Sequence, residues 1–206
     1  MVRADASRLP FRDGAFAAVI SNHSLEHFDD LDAALREIRR VTRPDGALFV
    51  AVPDASTLTD HLYRWLGRGG GHVNAFRSAP NLARSIERAT GMKHVATRTL
   101  GSSLSFLNRR TAPRPLPRRI YLVGGGFPWT LFAYEWFSRR VDRLLRTRLG
   151  VYGWAMYFGV IREAVDTQML ENVCIRCGSG HPVSVLGRGS TWRCPNCGTS
   201  NPLFRL

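Results

Sequence analysis

The chain has 206 residues, 44% hydrophobic and 10% aromatic, which excludes a disordered polypeptide and fits one domain of ordinary size or a medium domain with a small appendage. Its formal net charge is +13, and Lys93 is the only lysine, so the excess of positive charge is almost wholly arginine. Between Arg98 and Arg148 eleven arginines stand against Glu135 and Asp142, a local field able to attract phosphate, nucleic acid or anionic lipid headgroups.

No charged region followed by an apolar run opens the chain, so no secretory signal is expected. The run Phe16–Ile20 is rich in strand formers and leads into a polar turn, Ser21 to Phe28, of the kind that ends a strand at a ligand-binding edge. Asp29 and Asp30 then cap a helix whose Leu31, Ala34, Leu35, Ile38 and Val41 share one face while Arg36, Arg39 and Arg40 point outward. Pro44 stops it, Arg43-Pro44-Asp45-Gly46 reads as a turn, and Ala47–Pro53 is a nearly all-apolar strand. Such a strand is usual in a parallel sheet covered on both faces, and strand, helix, strand implies a right-handed crossover. The fold class is therefore α/β.

Residues 78–90 predict a helix with Leu82, Ile86 and Ala89 on one face, stopped by Gly91, followed by a strand over 93–100. The stretch 108–119, with three prolines and five arginines, predicts an exposed connection or insertion boundary. The apolar run Ile120–Phe137 is broken by glycines, Pro128 and Glu135, which predicts a buried or interfacial segment rather than a membrane span. Residues 129–149 read as an amphipathic helix, with Leu131, Phe132, Trp136, Val141, Leu144 and Leu145 set against Arg139, Arg140, Arg143 and Arg146. An aromatic-rich strand is expected over 151–161.

Two Cys-x-x-Cys-Gly knuckles, at Cys174 and Cys177 and at Cys194 and Cys197, are separated by sixteen residues, inside the range of a four-cysteine zinc site. Gly178 and Gly198 allow the tight turns by which two thiolates converge from one loop, and two loops complete a tetrahedron. With His181 to Cys194 read as a small hairpin between them, the unit resembles a zinc ribbon holding a structural ion; His181 is an alternative ligand.

The succession Asp5-Ala6, Leu9-Pro10-Phe11, Asp13, Phe16, Leu25-Glu26-His27 and Pro44-Asp45-Gly46 resembles the second half of the class I S-adenosylmethionine-dependent methyltransferase domain, in its small-molecule, type 11-like branch. Residues 71–92 are similar to a later stretch of that family. The resemblance implies that Asp5 receives the adenine amino group with the Ala6 backbone beside it. It also implies that Ser21, Asn22 and His23 line the methionine part of the cofactor, and that Glu26 and His27 face the acceptor, His27 taking a proton from it. The family's glycine-rich loop and the acidic end of its second strand would both precede Asp5, so the expectation is a partial Rossmann-like sheet, N-terminally truncated.

The expected organisation is a partial methyltransferase domain over 1–165, with a basic helical insertion at about 108–149, and a zinc ribbon over 171–206. The expected function is cytoplasmic methylation of a small or carrier-linked acceptor, using S-adenosylmethionine, in a chain that carries zinc. Residues 108–149 would touch a membrane surface peripherally. The rival reading is a non-catalytic module of zinc ribbon and basic helix that binds nucleic acid or protein.

Overall fold

The fold is given by a computed structural model that describes residues 2–66, 71–101, 127–161, 171–177 and 179–203. The proline-rich part of the expected insertion, 108–126, lies outside them. In chain order the elements are β1 (Phe16–Asn22), α1 (Leu31–Val41), β2 (Thr42–Pro53), α2 (Leu58–Leu66), α3 (Ala79–Thr90) and β3 (His94–Gly101). There follow α4 (Pro128–Leu145), β4 (Val151–Gly159), β5 (Glu171–Val173), β6 (Gly180–Pro182), β7 (Thr191–Arg193) and β8 (Ser200–Pro202). They form two compact units, one of residues 1–54, 71–98 and 154–167, the other of 55–70, 99–153 and 168–206.

The first unit is α/β, with sheet order β1-β2-β4-β3. β1 and β2 run parallel, Ala18 beside Ala47 and Asn22 beside Ala51, and α1 is the crossover that parallel strands require. The Asp30 carboxylate accepts the Ala33 N–H at 2.8 Å and starts α1, which turns Ala34, Leu35, Ile38 and Val41 into the core. Ser78 starts α3 in the same way, and Gly91, in the left-handed region at φ 67°, ends it. Leu25, Leu35, Leu48, Val50, Ile86, Met156 and Phe158 form the centre of the core, each buried.

Three features of this unit depart from the sequence reading. The strand β2 begins at Thr42, not at 47, and Arg43 to Gly46 are taken up as an irregularity where the register with β1 jumps from Phe16–Thr42 to Ala18–Ala47. Pro44 has no N–H to give to a ladder, so these residues bulge rather than reverse the chain. Arg40 does not simply face water: it donates to the Leu9 and Phe11 carbonyls and to Asp13, fastening the N-terminal loop to α1. Finally, although the run Phe16–Ile20 is apolar, Ile20 is 72% exposed among the described residues.

In the second unit, α2 was not visible in the hydrophobic pattern. Its signal is local, the Thr57 hydroxyl accepting the Asp60 N–H and Asp60 pairing with Arg64 one turn on at 2.6 Å. Leu100 of β3 pairs with Glu171 of β5, and β5 pairs antiparallel with β6. β7 and β8 make a second antiparallel pair. Each hairpin therefore closes around one cysteine knuckle, whereas the sequence reading put the hairpin between the knuckles.

The helix α4 carries the largest correction. Arg139 lies inside, not on the solvated face, while Leu144 and Leu145 are 81% and 64% exposed. Arg139 is neutralised one turn away by Glu135 at 2.8 Å, also buried, and donates further to the Asn172 side chain at 3.0 Å and to the Pro202 carbonyl. A buried guanidinium with its donors occupied on three sides is tolerable where an unpaired one is not.

Candidate functional site

The strand β1 ends at Asn22, and the chain then turns sharply. His23 adopts the left-handed backbone conformation at φ 50°, rare for a residue with a side chain, while its N–H continues the ladder to the Ala51 carbonyl at 2.9 Å. A single 3₁₀ turn, Leu25–His27, follows, anchored by the fully buried Leu25. The Ser21 and Ser24 hydroxyls hydrogen-bond to each other at 2.7 Å across this turn. Residues 71–74 are strapped over it. The Glu26 carbonyl accepts the N–H groups of Val73 and Asn74, and the Asn74 amide donates to the Leu25 and Phe28 carbonyls at 3.0 and 2.7 Å.

This strapping sets the state of the histidines. The His27 Nδ1 lies 2.9 Å from the Gly71 carbonyl oxygen, which only accepts, so Nδ1 carries a proton and the ring turns Nε2 away from this bond. The His72 ring meets His27 edge to face at 4.9 Å. Burial, followed by the nearby His72 and His27, pushes the His23 pKa down to about 4, so His23 is neutral at physiological pH; its Nδ1 stands 3.8 Å from the buried Glu26 carboxylate. The ligand atoms of Glu26, His27 and His72 all lie within 4.8 Å of one another, so the three could hold a metal ion as well as pass a proton.

Of the residues expected from sequence, Ser21, Asn22, His23, Glu26 and His27 are thus gathered at one strand end. Asp5 and Ala6 lie on the loop that Arg40 and Glu37 fasten to α1. Asp5 is exposed, and one of its oxygens accepts the Ser7 N–H and hydroxyl, both at 2.8 Å, bonds that hold its pKa below the usual carboxylate value. Glu37 is held down to about 2 by Arg40 and the Leu9 N–H. Toward S-adenosylmethionine, the ionised, accessible Asp5 carboxylate suits an exocyclic amine. Among the described residues no glycine-rich turn joins a strand to a helix, so the fit concerns the adenine and methionine ends. Sequence reasoning missed Asn74 as the strap, since an asparagine in a loop carries no periodic signal.

The second cluster belongs to the other unit. Cys174 and Cys197 sulfurs stand 3.6 Å apart, as do Cys177 and Cys194. A disulfide would need about 2.05 Å, whereas the edge of a tetrahedron with zinc–sulfur bonds of about 2.3 Å is about 3.8 Å. The two knuckles repeat one geometry: the Cys174 N–H donates to the Ser179 carbonyl, and the Cys194 N–H to the Thr199 carbonyl, each at 2.9 Å. Burial pushes the Cys174 thiol up to about 12. Cys194, although burial opposes it, is brought down to about 5 by hydrogen bonds from Ser179, the Cys197 and Asn196 N–H groups, and His181. His181 reaches Cys194 at 3.7 Å and Ser179 at 3.0 Å, which makes it a neighbour of the cluster and not one of its four corners. The donor set is compatible with zinc.

Residues 1–50 match the family model described as a methyltransferase domain. A demethylmenaquinone methyltransferase of Mycolicibacterium gilvum is 48% identical over 62 residues, 30% of this chain and 26% of that protein. One from Corynebacterium kroppenstedtii is 34% identical over 135 residues, 55% of this chain and 58% of that protein. A malonyl-[acyl-carrier protein] O-methyltransferase of Halorhodospira halophila is 42% identical over 64 residues, 31% of this chain and 22% of its own length. The chain therefore spans between about a fifth and somewhat over half of these curated relatives. Among solved structures, a SAM-dependent methyltransferase from Archaeoglobus fulgidus overlays at a TM-score of 0.48 and 15% identity, covering 76% of this chain and 66% of that one. Residues 1–50 thus match a methyltransferase domain, and the chain is similar over part of its length to these curated methyltransferases.

Proposed function

We propose that the chain serves the S-adenosylmethionine-dependent methylation of a small or carrier-linked acceptor. The observation that carries this reading is the turn after β1, where the Gly71 carbonyl engages His27 Nδ1 and leaves Nε2 as the nitrogen free to face an acceptor, within a segment matched by the methyltransferase family. When bound, the cofactor supplies an electrophilic methyl group on a sulfonium. Asp5 and the Ala6 backbone would hold its adenine, and Ser21, Asn22 and His23 its methionine part. His27 Nε2 would take the proton from an acceptor hydroxyl or acidic carbon, with Glu26 and His72 keeping the imidazole in place.

The named relatives act on a quinone and on a carrier-bound malonyl group, and an acceptor of either kind suits this site. The four cysteines would hold a structural zinc ion. No described helix is long and apolar enough to cross a membrane, but the exposed Trp129, Phe137 and Leu144 of α4 suit peripheral contact with the cytoplasmic face of one. A binding module for nucleic acid is the second reading, favoured by the arginine content of α4 and its flanks.

Titration calorimetry of S-adenosylmethionine into the zinc-loaded chain tests the first reading. Saturable binding, weakened about tenfold in Asp5→Ala for the loss of one charge-assisted hydrogen bond, supports it. Wild-type and variant chains that bind equally well refute the role of Asp5. A folded chain that does not bind the cofactor, yet binds RNA with a steep salt dependence, favours the module.

A further inference from the structure

We infer that an arginine-lined cavity in the second unit is a binding site for a phosphate or diphosphate group. The cavity has a volume of 670 Å³, and its wall includes Thr99, Arg143, Arg146, Arg148, Arg188 and Ser190. Three separate stretches of chain converge on it: Thr99 of β3, the end of α4 with the turn at 146–148 that follows it, and the loop at 188–190 just before β7.

The electrostatics of the wall are one-sided. Arg139, also in the lining, is already neutralised by Glu135. The one carboxylate in the wall, Asp142, is committed to the turn, accepting the Thr147 hydroxyl at 2.7 Å and the Leu149 and Gly150 N–H groups at 2.6 and 2.5 Å. Among the described residues Arg143, Arg146 and Arg188 make no ion pair, and the Thr99 and Ser190 hydroxyls make no hydrogen bond. Cations at the end of α4 would complement its dipole wherever they pointed. That argument does not reach Arg188, which comes from a different element. Bringing guanidinium groups together costs Coulomb energy, which a polyvalent anion repays, and the planar fork of arginine matches phosphoryl oxygens two at a time.

Two sources of that chemistry exist, a soluble phosphorylated molecule and a lipid headgroup. Leu144 and Leu145, exposed beside Arg143 and Arg146, would accept an apolar chain attached to the headgroup. The inference goes beyond the methyl-transfer reading and stands or falls apart from it, because the cofactor assay addresses residues of the other unit.

The test uses the full chain with inorganic diphosphate in calorimetry, and vesicles of phosphatidylcholine with or without phosphatidic acid in sedimentation. The variant is Arg143→Gln with Arg188→Gln, and the control is Arg84→Gln with Arg88→Gln on the exposed face of α3. Saturable diphosphate binding, weakened about tenfold or more in the variant but not in the control, supports the site. If only diphosphate binding depends on these arginines, the ligand is soluble; if sedimentation also, or alone, depends on phosphatidic acid and on them, it is a lipid headgroup. Absence of both kinds of binding, or equal binding by variant and wild type, overturns the inference. Should the double variant fail to fold, Arg188→Gln alone, on an exposed loop, carries the same comparison.

Discussion

His23 joins three constraints in one residue: a left-handed backbone, partial burial, and two neighbouring imidazoles. Its proton affinity gives a pH dependence with a definite sign. An unfolded histidine binds a proton near 6.5, whereas the folded His23 binds one only near 4. Stability from the neutral ring is thus complete above about pH 6.5 and is lost as pH falls through about 4, because the unfolded state takes up the proton first. Glu37, held down to about 2, titrates mostly below this window. Asparagine tolerates the left-handed conformation and does not titrate, so in His23→Asn the urea midpoint should fall less between pH 6.5 and 4 than in the wild type. Parallel pH profiles for the two proteins would refute this. At this scale the sequence was informative wherever a residue's role is local, as with Asp30 at the start of α1 and Gly91 at the end of α3. It was silent on Asn74, whose partners Leu25 and Phe28 lie far away along the chain.

At the scale of elements, α1 and α3 were legible because apolar spacing and cap residues agree, and α4 was misread because its buried stripe includes a charged pair. Hydrophobic periodicity assigns Glu135 and Arg139 to water; the structure puts both inside because they satisfy each other and because Arg139 ties α4 to β5 and β8. Arg139→Met removes one partner and leaves the Glu135 carboxylate buried without its cation, which should cost about 3 to 5 kcal/mol in urea unfolding of this unit. Adding Glu135→Met should recover part of that loss, since no charge then stays behind, although Asn172 and Pro202 still lack their donor. A double variant as unstable as the single one would show that the links to β5 and β8, rather than the ion pair, dominate. The exposed side of β1 is the converse case. Its run Phe16–Ile20 is apolar, and composition has no means of showing that Ile20 is left facing solvent.

At the scale of the whole molecule, the Cys-x-x-Cys spacing gave the cysteine cluster directly, because two short loops fix their own geometry. The grouping of the cluster with α4 was not legible, since the Arg139 bonds that join them span 33 and 63 residues of sequence. In so small a hairpin pair, zinc would supply much of the folding free energy, on the order of 10 kcal/mol. Cys194→Ser should therefore lose the ion by metal analysis and unfold the segment from β5 to β8, while the circular dichroism of the α/β unit persists. Undiminished zinc content would refute the four-cysteine assignment.

The meeting of Gly46 and Gly159 has a different kind of consequence. The Val160 N–H reaches the Gly46 carbonyl at 3.1 Å, Gly159 sits at φ 83°, and a side-chain carbon at Gly159 would run into the Gly46 carbonyl and the tip of Met92. At Gly46 the added carbon would meet Thr42 at 2.7 Å and the Ala17 carbonyl at 3.0 Å. Neither position tolerates even alanine without β2 moving from its neighbours. These two sites therefore have almost no room for mutational drift, although neither takes part in chemistry, and the contact between the strands limits how far this sequence can diverge while keeping its sheet.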